Sequence, residues 1–157
     1  MLLDILQEDS EVPENFFIPE SQMDQWIYLK GKKAEPRIHK GSGTAYFYEE
    51  GAIPFPDPTD TASRTILTGE GGSTPSRFKH VVQTPSGRLR RLTPVELERL
   101  NGFPDDWTRT EMPDGRRAFM MGNALVVGLV QRVADELIED VLRVPVEEPA
   151  EEVAAIA

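Results

Sequence analysis

Between Gly31 and Gly122 the chain is broken up by most of its 12 glycines and 13 prolines. Glycine samples backbone conformations that other residues avoid, and proline fixes φ and removes a donor, so neither supports a long helix or a central strand. That stretch must be short elements joined by turns and loops. The expected class is α+β: a small, irregular, β-rich body with short helices, followed by one longer C-terminal helix.

Within that frame, residues 1–24 read as an acidic lead-in, with Pro13 and Pro19 breaking any long helix. Residues 25–29 are an aromatic patch, a strand or a short helix. Residues 30–43 are basic and loop-like, and Tyr46-Phe47-Tyr48 suits a strand. Residues 51–60 contain Pro54, Pro56 and Pro58 and form an irregular connection. Thr65-Ile66-Leu67 is a short strand candidate that runs into a flexible loop, Gly69-Glu70-Gly71-Gly72-Ser73. Residues 78–84 and 88–92 flank Pro85-Ser86-Gly87 as a hairpin. The aromatic side chains Trp26, Tyr46, Phe47 and Tyr48 are expected in the core.

The clearest local signal comes next. Thr93-Pro94-Val95-Glu96 is a capping box with proline at the first helical position. Leu92 and Leu97 are placed as a hydrophobic staple. The helix should end near Asn101, with Gly102 left-handed, Phe103 folding back on Leu97 and Pro104 preventing continuation. A longer helix follows, with Asn123 as its N-cap. Val126, Val130, Val133, Leu137 and Val141 form one stripe, widened by Val127, Ala134 and Ile138. Gly128, inside that helix, suits either a tolerated imperfection or close approach of a partner element. Residues 144–157 read as an acidic, Ala-rich, disordered tail.

The net charge of −10 hides a pattern. Residues 1–29 hold seven acids and no Lys or Arg, residues 30–92 hold eleven Lys/Arg against six acids, and residues 93–157 hold six Lys/Arg against fourteen acids. A basic centre between acidic flanks is a footprint for a polyanion, although ordinary surface charge can give the same profile. There is no cysteine, so a disulfide, a zinc–thiolate site or a Cys nucleophile is excluded within this chain. Only His39 and His80 are present, too few for a His-rich metal site, and no metal ligand is assigned. No apolar run spans a membrane, and residues 1–10 lack the basic region of a signal peptide, so the expected location is cytoplasmic.

The stretch Arg91-Leu92-Thr93-Pro94-Val95-Glu96-Leu97-Glu98-Arg99-Leu100-Asn101-Gly102-Phe103-Pro104-Asp105 resembles the ninth conserved motif of cytosine-5 DNA methyltransferases. About twenty residues on, Met121-Gly122-Asn123-Ala124-Leu125-Val126-Val127 is similar to their tenth motif. Upstream, Ser63-Arg64-Thr65-Ile66-Leu67 and Arg77-Phe78-Lys79-His80 resemble their target recognition region. The resemblance covers roughly residues 12–143. Its family's glycine-rich cofactor loop, Pro-Cys nucleophile and Glu-Asn-Val acid have no counterpart here. Attack on cytosine C6 needs a thiolate, and this chain carries no thiol. No catalytic residue is therefore assigned.

The resemblance implies a recognition domain over residues 25–117, including the ninth motif, and a helix over residues 118–143 that completes an S-adenosylmethionine-binding α/β domain on a partner chain. That partner, a larger catalytic subunit with the Pro-Cys motif, and double-stranded DNA are the expected partners. The reading favoured is the small subunit of a split methyltransferase of a restriction–modification system. The acidic stretches at both ends support this over an excised C-terminal domain. A stand-alone DNA-binding module without activity is the alternative, and a non-nucleic-acid interaction domain is a third, favoured only by the overall acidity.

Site residues follow from motif position. Asn123, Ala124 and Leu125 border S-adenosylmethionine in this reading, whereas a plain helix cap is the simpler role for Asn123. Arg64, Thr65, Thr68, Gly71, Gly72 and Ser73 are the expected DNA contacts, because glycine-rich backbone approaches phosphates closely and arginine reads guanine. A solvated loop is the competing reading. Arg77, Lys79, Arg88, Arg90 and Arg91 are expected phosphate clamps, each open to being an ordinary surface residue. The ninth-motif helix is read as structural, with Arg99 holding a carboxylate or backbone carbonyls. No role is assigned to His39 or His80.

Overall fold

The computed structural model describes residues 1–142. The tail expected over 144–157 lies outside the described residues. The architecture is α+β, with two separate two-stranded antiparallel sheets among short helices.

Residues 1–24 make four short 3-10 turns, Leu2–Ile5, Asp9–Glu11, Glu14–Phe16 and Glu20–Gln22. They are packed rather than trailing: Leu2, Val12, Phe16 and Phe17 are buried. Helix α1, Met23–Lys30, follows, with Asp24 in its first turn and Lys30 in its last, each favourable for the helix dipole. Trp26 is fully buried and stacks on Phe55, ring centroids 6.3 Å apart.

Strands β1, Lys33–Ile38, and β2, Ala45–Glu50, form a ribbon in register from Lys33 opposite Glu50 to Ile38 opposite Ala45. The basic segment expected as loop is thus a strand. Gly43, at φ +68°, lets the chain reverse, and the His39 amide donates to the Thr44 carbonyl at 2.9 Å. Pro36 is tolerated because both strands of a two-stranded ribbon are edges. Tyr46 and Phe47, expected in the core, are exposed instead, since the ribbon stands away from the body.

Strands β3, Val81–Gln83, and β4, Leu89–Arg91, are the expected hairpin, closed by the Thr84 amide to the Arg88 carbonyl at 2.8 Å with Gly87 left-handed. Helix α2, Pro94–Leu100, carries the full capping box. Its end is a Schellman motif: the amides of Phe103 and Gly102 donate to the carbonyls of Glu98 and Arg99, both at 3.0 Å. Leu92 and Leu97, the staple, join Leu2, Val82, Ala118 and Met121 in the main core.

Two expectations fail further on. Residues 65–67 are not a strand, because no strand lies beside them; they run extended into a 3-10 turn, Thr68–Glu70, that packs on helix α3. Helix α3 itself, Asp114–Asn123, was not legible, since its buried face is Arg117, Ala118 and Met121 and the arginine masks the apolar period. Asn123 therefore ends α3 rather than capping the last helix, which is α4, Val127–Leu142. The amides of Leu129 and Val130 both donate to the Val126 carbonyl at 3.1 Å, so Val126 opens that helix. Among the described residues no helix is long and apolar enough to cross a membrane.

Candidate nucleic-acid interface

The segment over residues 63–80 is an irregular excursion between the proline-rich connection and β3, and buried charges pin it at both ends. At its base Asp57 is buried and accepts the Arg64 guanidinium in a fork, Nε at 2.5 Å and Nη2 at 3.1 Å, and the Val81 amide at 2.8 Å. Burial pushes the Asp57 carboxyl up, but the Arg64 guanidinium and the Val81 amide outweigh it and hold it below the usual carboxylate range. Arg64 also donates to the Lys79 carbonyl at 3.3 Å, which closes the excursion on itself.

A second pin joins Glu70 to His80. One Glu70 oxygen lies 2.7 Å from His80 Nδ1 and the other accepts the His80 amide at 3.0 Å, with both residues buried. Ser63 Oγ sits 3.1 Å from His80 Nε2. Lys79 folds inward and donates to the carbonyls of Gly72 and Thr74 at 2.9 and 2.7 Å. Burial lowers its pKa to about 8, and the neighbouring Arg91 pushes it the same way. Lys30, whose ammonium donates to the Lys79 carbonyl, is also lowered to about 8 by burial, which outweighs the opposing pull of Asp57.

Glycine permits the closest approaches. A Cβ on Gly71 would stand 2.5 Å from the Gly115 carbonyl oxygen, and one on Gly122 would stand 2.4 Å from backbone atoms of Leu67 and Thr68. Helix α3 and the excursion touch backbone to backbone at these two points. A Cβ on Gly128, by contrast, would meet no atom of the described residues within 4 Å beyond its chain neighbours and its own helix backbone.

The expected DNA contacts divide accordingly. Thr65, Thr68, Gly72 and Ser73 are exposed. Gly71 packs on Gly115. Arg64 and Lys79 are committed as described. Arg77 bonds the carbonyls of Leu29, Gly31 and Gly51 and pairs with Glu50 at 2.8 Å. Arg90 is buried in a fork on Glu96, at 2.9 and 2.8 Å. Arg91 is buried and donates to the carbonyls of Gly72 and Asn15 at 2.5 and 2.6 Å. Arg88 lies over the Phe17 ring and pairs with Glu14, half exposed. Arg88 thus stays at the surface, whereas the guanidinium and ammonium groups of Arg64, Arg77, Lys79, Arg90 and Arg91 are engaged within the fold. Arg99 does what was expected of it, forking onto Asp105 at 2.7 and 2.6 Å and reaching the Ile5 carbonyl at 3.0 Å.

The two motif regions meet. Asn101, at the end of α2, donates from Nδ2 to the Met121 carbonyl at 2.9 Å and accepts the Val127 amide at 2.8 Å, so it fixes where α3 stops and α4 starts. In the turn between them, Ala124 and Val126 border an open cavity of about 380 Å³ shared with Ser63, Arg64, Thr65 and Asn101. Ala124 is half-buried and Leu125 is 71% exposed at this turn, whereas the Asn123 amide folds back onto the Phe119 carbonyl at 3.0 Å. From there α4 presents Val130, Val133, Leu137 and Val141 to solvent. Asp57, Glu70, His80, Asn101 and Gly122 were missed as organisers. Three of them stood in motif stretches, Gly122 in Met-Gly-Asn, Asn101 in the ninth-motif stretch and His80 after Arg77-Phe78-Lys79, but nothing in those stretches named the partner each would hold.

A family model described as C-5 cytosine-specific DNA methylase matches residues 6–139. Type II methyltransferase M.Sau3AI of Staphylococcus aureus is 41% identical over 129 residues, which cover 82% of this chain and 30% of that relative. The chain thus spans less than a third of the length of the curated relative it matches. No solved structure matches.

Proposed function

Because the chain belongs to the C-5 cytosine-specific DNA methylase family, we propose that it supplies the DNA-reading part of a cytosine-5 methyltransferase and one wall of its methyl-donor pocket. The carrying observation is the cavity at the Ala124–Val126 turn. It joins Thr65, at the foot of the pinned excursion, to the start of a helix whose apolar face is uncovered. A surface of that kind is completed by another body of protein.

The division of labour follows from residue chemistry. Methylation at C5 in this family uses a thiolate, and this chain has no cysteine, so the nucleophile comes from a catalytic portion that is not in this sequence. S-adenosylmethionine, the donor this family uses, supplies the methyl group when bound. Small Ala124 and exposed Leu125 fit as an apolar edge for it, while the committed Asn123 amide offers little. Thr65, Thr68, Gly72 and Ser73 present hydroxyls and backbone toward DNA. The network of Asp57, Glu70, His80 and Lys79 holds them in place, so little ordering remains to be done on binding.

Mixing the chain with a family catalytic portion that carries the Pro-Cys motif, then following labelled methyl incorporation into DNA, tests this. Neither part alone should transfer methyl groups, and the mixture should. Transfer by this chain alone overturns the reading. DNA binding without any gain on mixing points instead to a stand-alone DNA-binding module.

A further inference from the structure

Resting on that reading, we infer that the β1–β2 ribbon is a DNA-reading element of this chain, entering the major groove of the duplex. The ribbon was absent from the expected contacts, because its basic strand read as loop and its aromatic strand as core.

Four observations converge on it. First, β1 and β2 pack chiefly on each other; Arg77 ties the ribbon to the body through Glu50 at 2.8 Å, and Lys33 pairs with the same carboxylate across the ribbon's base at 3.2 Å. Six-residue strands then carry the tip on the order of 20 Å outward. Second, the major groove, about 12 Å wide, admits a two-stranded ribbon. Third, the charge is complementary where it matters. The distal half, residues 36–47, holds Arg37, His39 and Lys40 and no acid. Lys32 and Lys40 make no ion pair among the described residues, whereas Arg64, Arg77, Lys79, Arg90 and Arg91 are all committed inside the body. Of the exposed Lys and Arg side chains without an ion pair among the described residues, Lys32, Lys40, Arg116 and Arg132, two lie on this ribbon, Lys32 just before its first strand and Lys40 at its tip. Fourth, the tip is Gly41-Ser42-Gly43, small enough to approach base edges. Ile38 and Phe47 stand exposed on one side of the ribbon, at 70% and 62%, with Pro36 opposite Phe47. An apolar side in the groove meets thymine methyl groups. On the other side Arg37 lies 3.7 Å over the Tyr48 ring and pairs with Glu35, which keeps it extended along the strand.

The roles divide between the two kinds of side chain. Lys32 and Lys40 meet phosphates and set affinity and its salt dependence; Ile38 and Phe47 face bases and set sequence preference.

The full chain is titrated with a short fluorescein-labelled duplex pool whose centre is randomised, over a series of salt concentrations. The double variant Lys32→Gln, Lys40→Gln should bind about tenfold more weakly, with the slope of log K against log salt reduced by about 1 for each lysine removed. The variant Ile38→Ser, Phe47→Ser should keep the wild-type slope but enrich a broader set of sequences from the pool. Arg109→Gln, an exposed cation paired with Asp106 away from the ribbon, should leave both readouts unchanged. Because the ribbon packs on little else, urea midpoints of the ribbon variants should match wild type, which separates lost contacts from lost folding. Wild-type binding and selectivity in both ribbon variants, with loss on Thr65→Ala, overturn the ribbon assignment and leave the proposed function standing. A wild-type chain that binds no duplex even at low salt overturns both.

Discussion

Lys30 and Lys79 show how far this fold commits its cations to internal work. Both ammonium groups are buried against backbone carbonyls, and burial brings each pKa from 10.5 to about 8. The sign follows from proton counting. Between about pH 8 and the unfolded value, the unfolded chain holds protons that the folded chain has released, so raising pH through that window stabilises the fold. A shift of this size corresponds to at most about 3 kcal/mol per lysine. Urea unfolding of wild type against Lys79→Met, at about pH 7.5 and about pH 9.5, should show wild type gaining about 2 kcal/mol on the variant at the higher pH. A pH-independent difference would mean that Lys79 is hydrated in solution. The same logic explains why counting basic residues over 30–92 located a positive region without locating its outward-facing charges.

At the scale of elements, the close crossing of α3 with the excursion over residues 63–80 is set by glycine. Gly122 leaves no room for a methyl group beside the Leu67–Thr68 backbone, and backbone cannot swing aside as a long side chain can. Gly122→Ala should therefore cost about 1–3 kcal/mol in urea unfolding. It should also raise hydrogen exchange at Thr68 and Glu70, while β3–β4 exchange stays as in wild type. Helix α2 behaves differently. Its capping box, staple and Schellman end are all local in sequence, and each was readable there. What was not readable is that the cap glutamate, Glu96, also receives the Arg90 guanidinium, and that Glu98 receives Arg117 at 2.9 Å. Two acids on a short helix thus neutralise two arginines from other elements, and breaking either buried pair would strand a charge.

For the molecule as a whole, the uncovered face of α4 is the largest departure from a self-sufficient fold. Val133 and Leu137, 53% and 59% exposed, are not part of the core among the described residues. The double variant Val133→Asp, Leu137→Asp should leave the chain's own urea midpoint within about 0.5 kcal/mol of wild type. On mixing with the catalytic portion, it should lose methyl transfer. Transfer at the wild-type level would show that α4 docks on nothing. The lead-in contributes in the opposite sense: Leu2 joins the main core, and the backbone N–H of Gln7 donates to Glu96 at 2.9 Å, so the first residues close the body.

By itself the sequence determined what depends on near neighbours: the capped α2 helix, the β3–β4 turn, the amphipathic stripe of α4, the absence of a thiol and the order of two family motifs. Each rests on residues within a turn or two of one another, where propensity and periodicity act. Tertiary structure alone decided which cations face outward, that residues 30–43 pair into a ribbon, that residues 65–67 lie against α3 rather than in a sheet, and that Asn123 closes one helix instead of opening the next. Those outcomes depend on partners distant along the chain, such as Asp57 for Arg64, Glu96 for Arg90 and Asn101 for the α3–α4 break. A buried charge or a glycine contact carries no mark of its partner until the chain has folded.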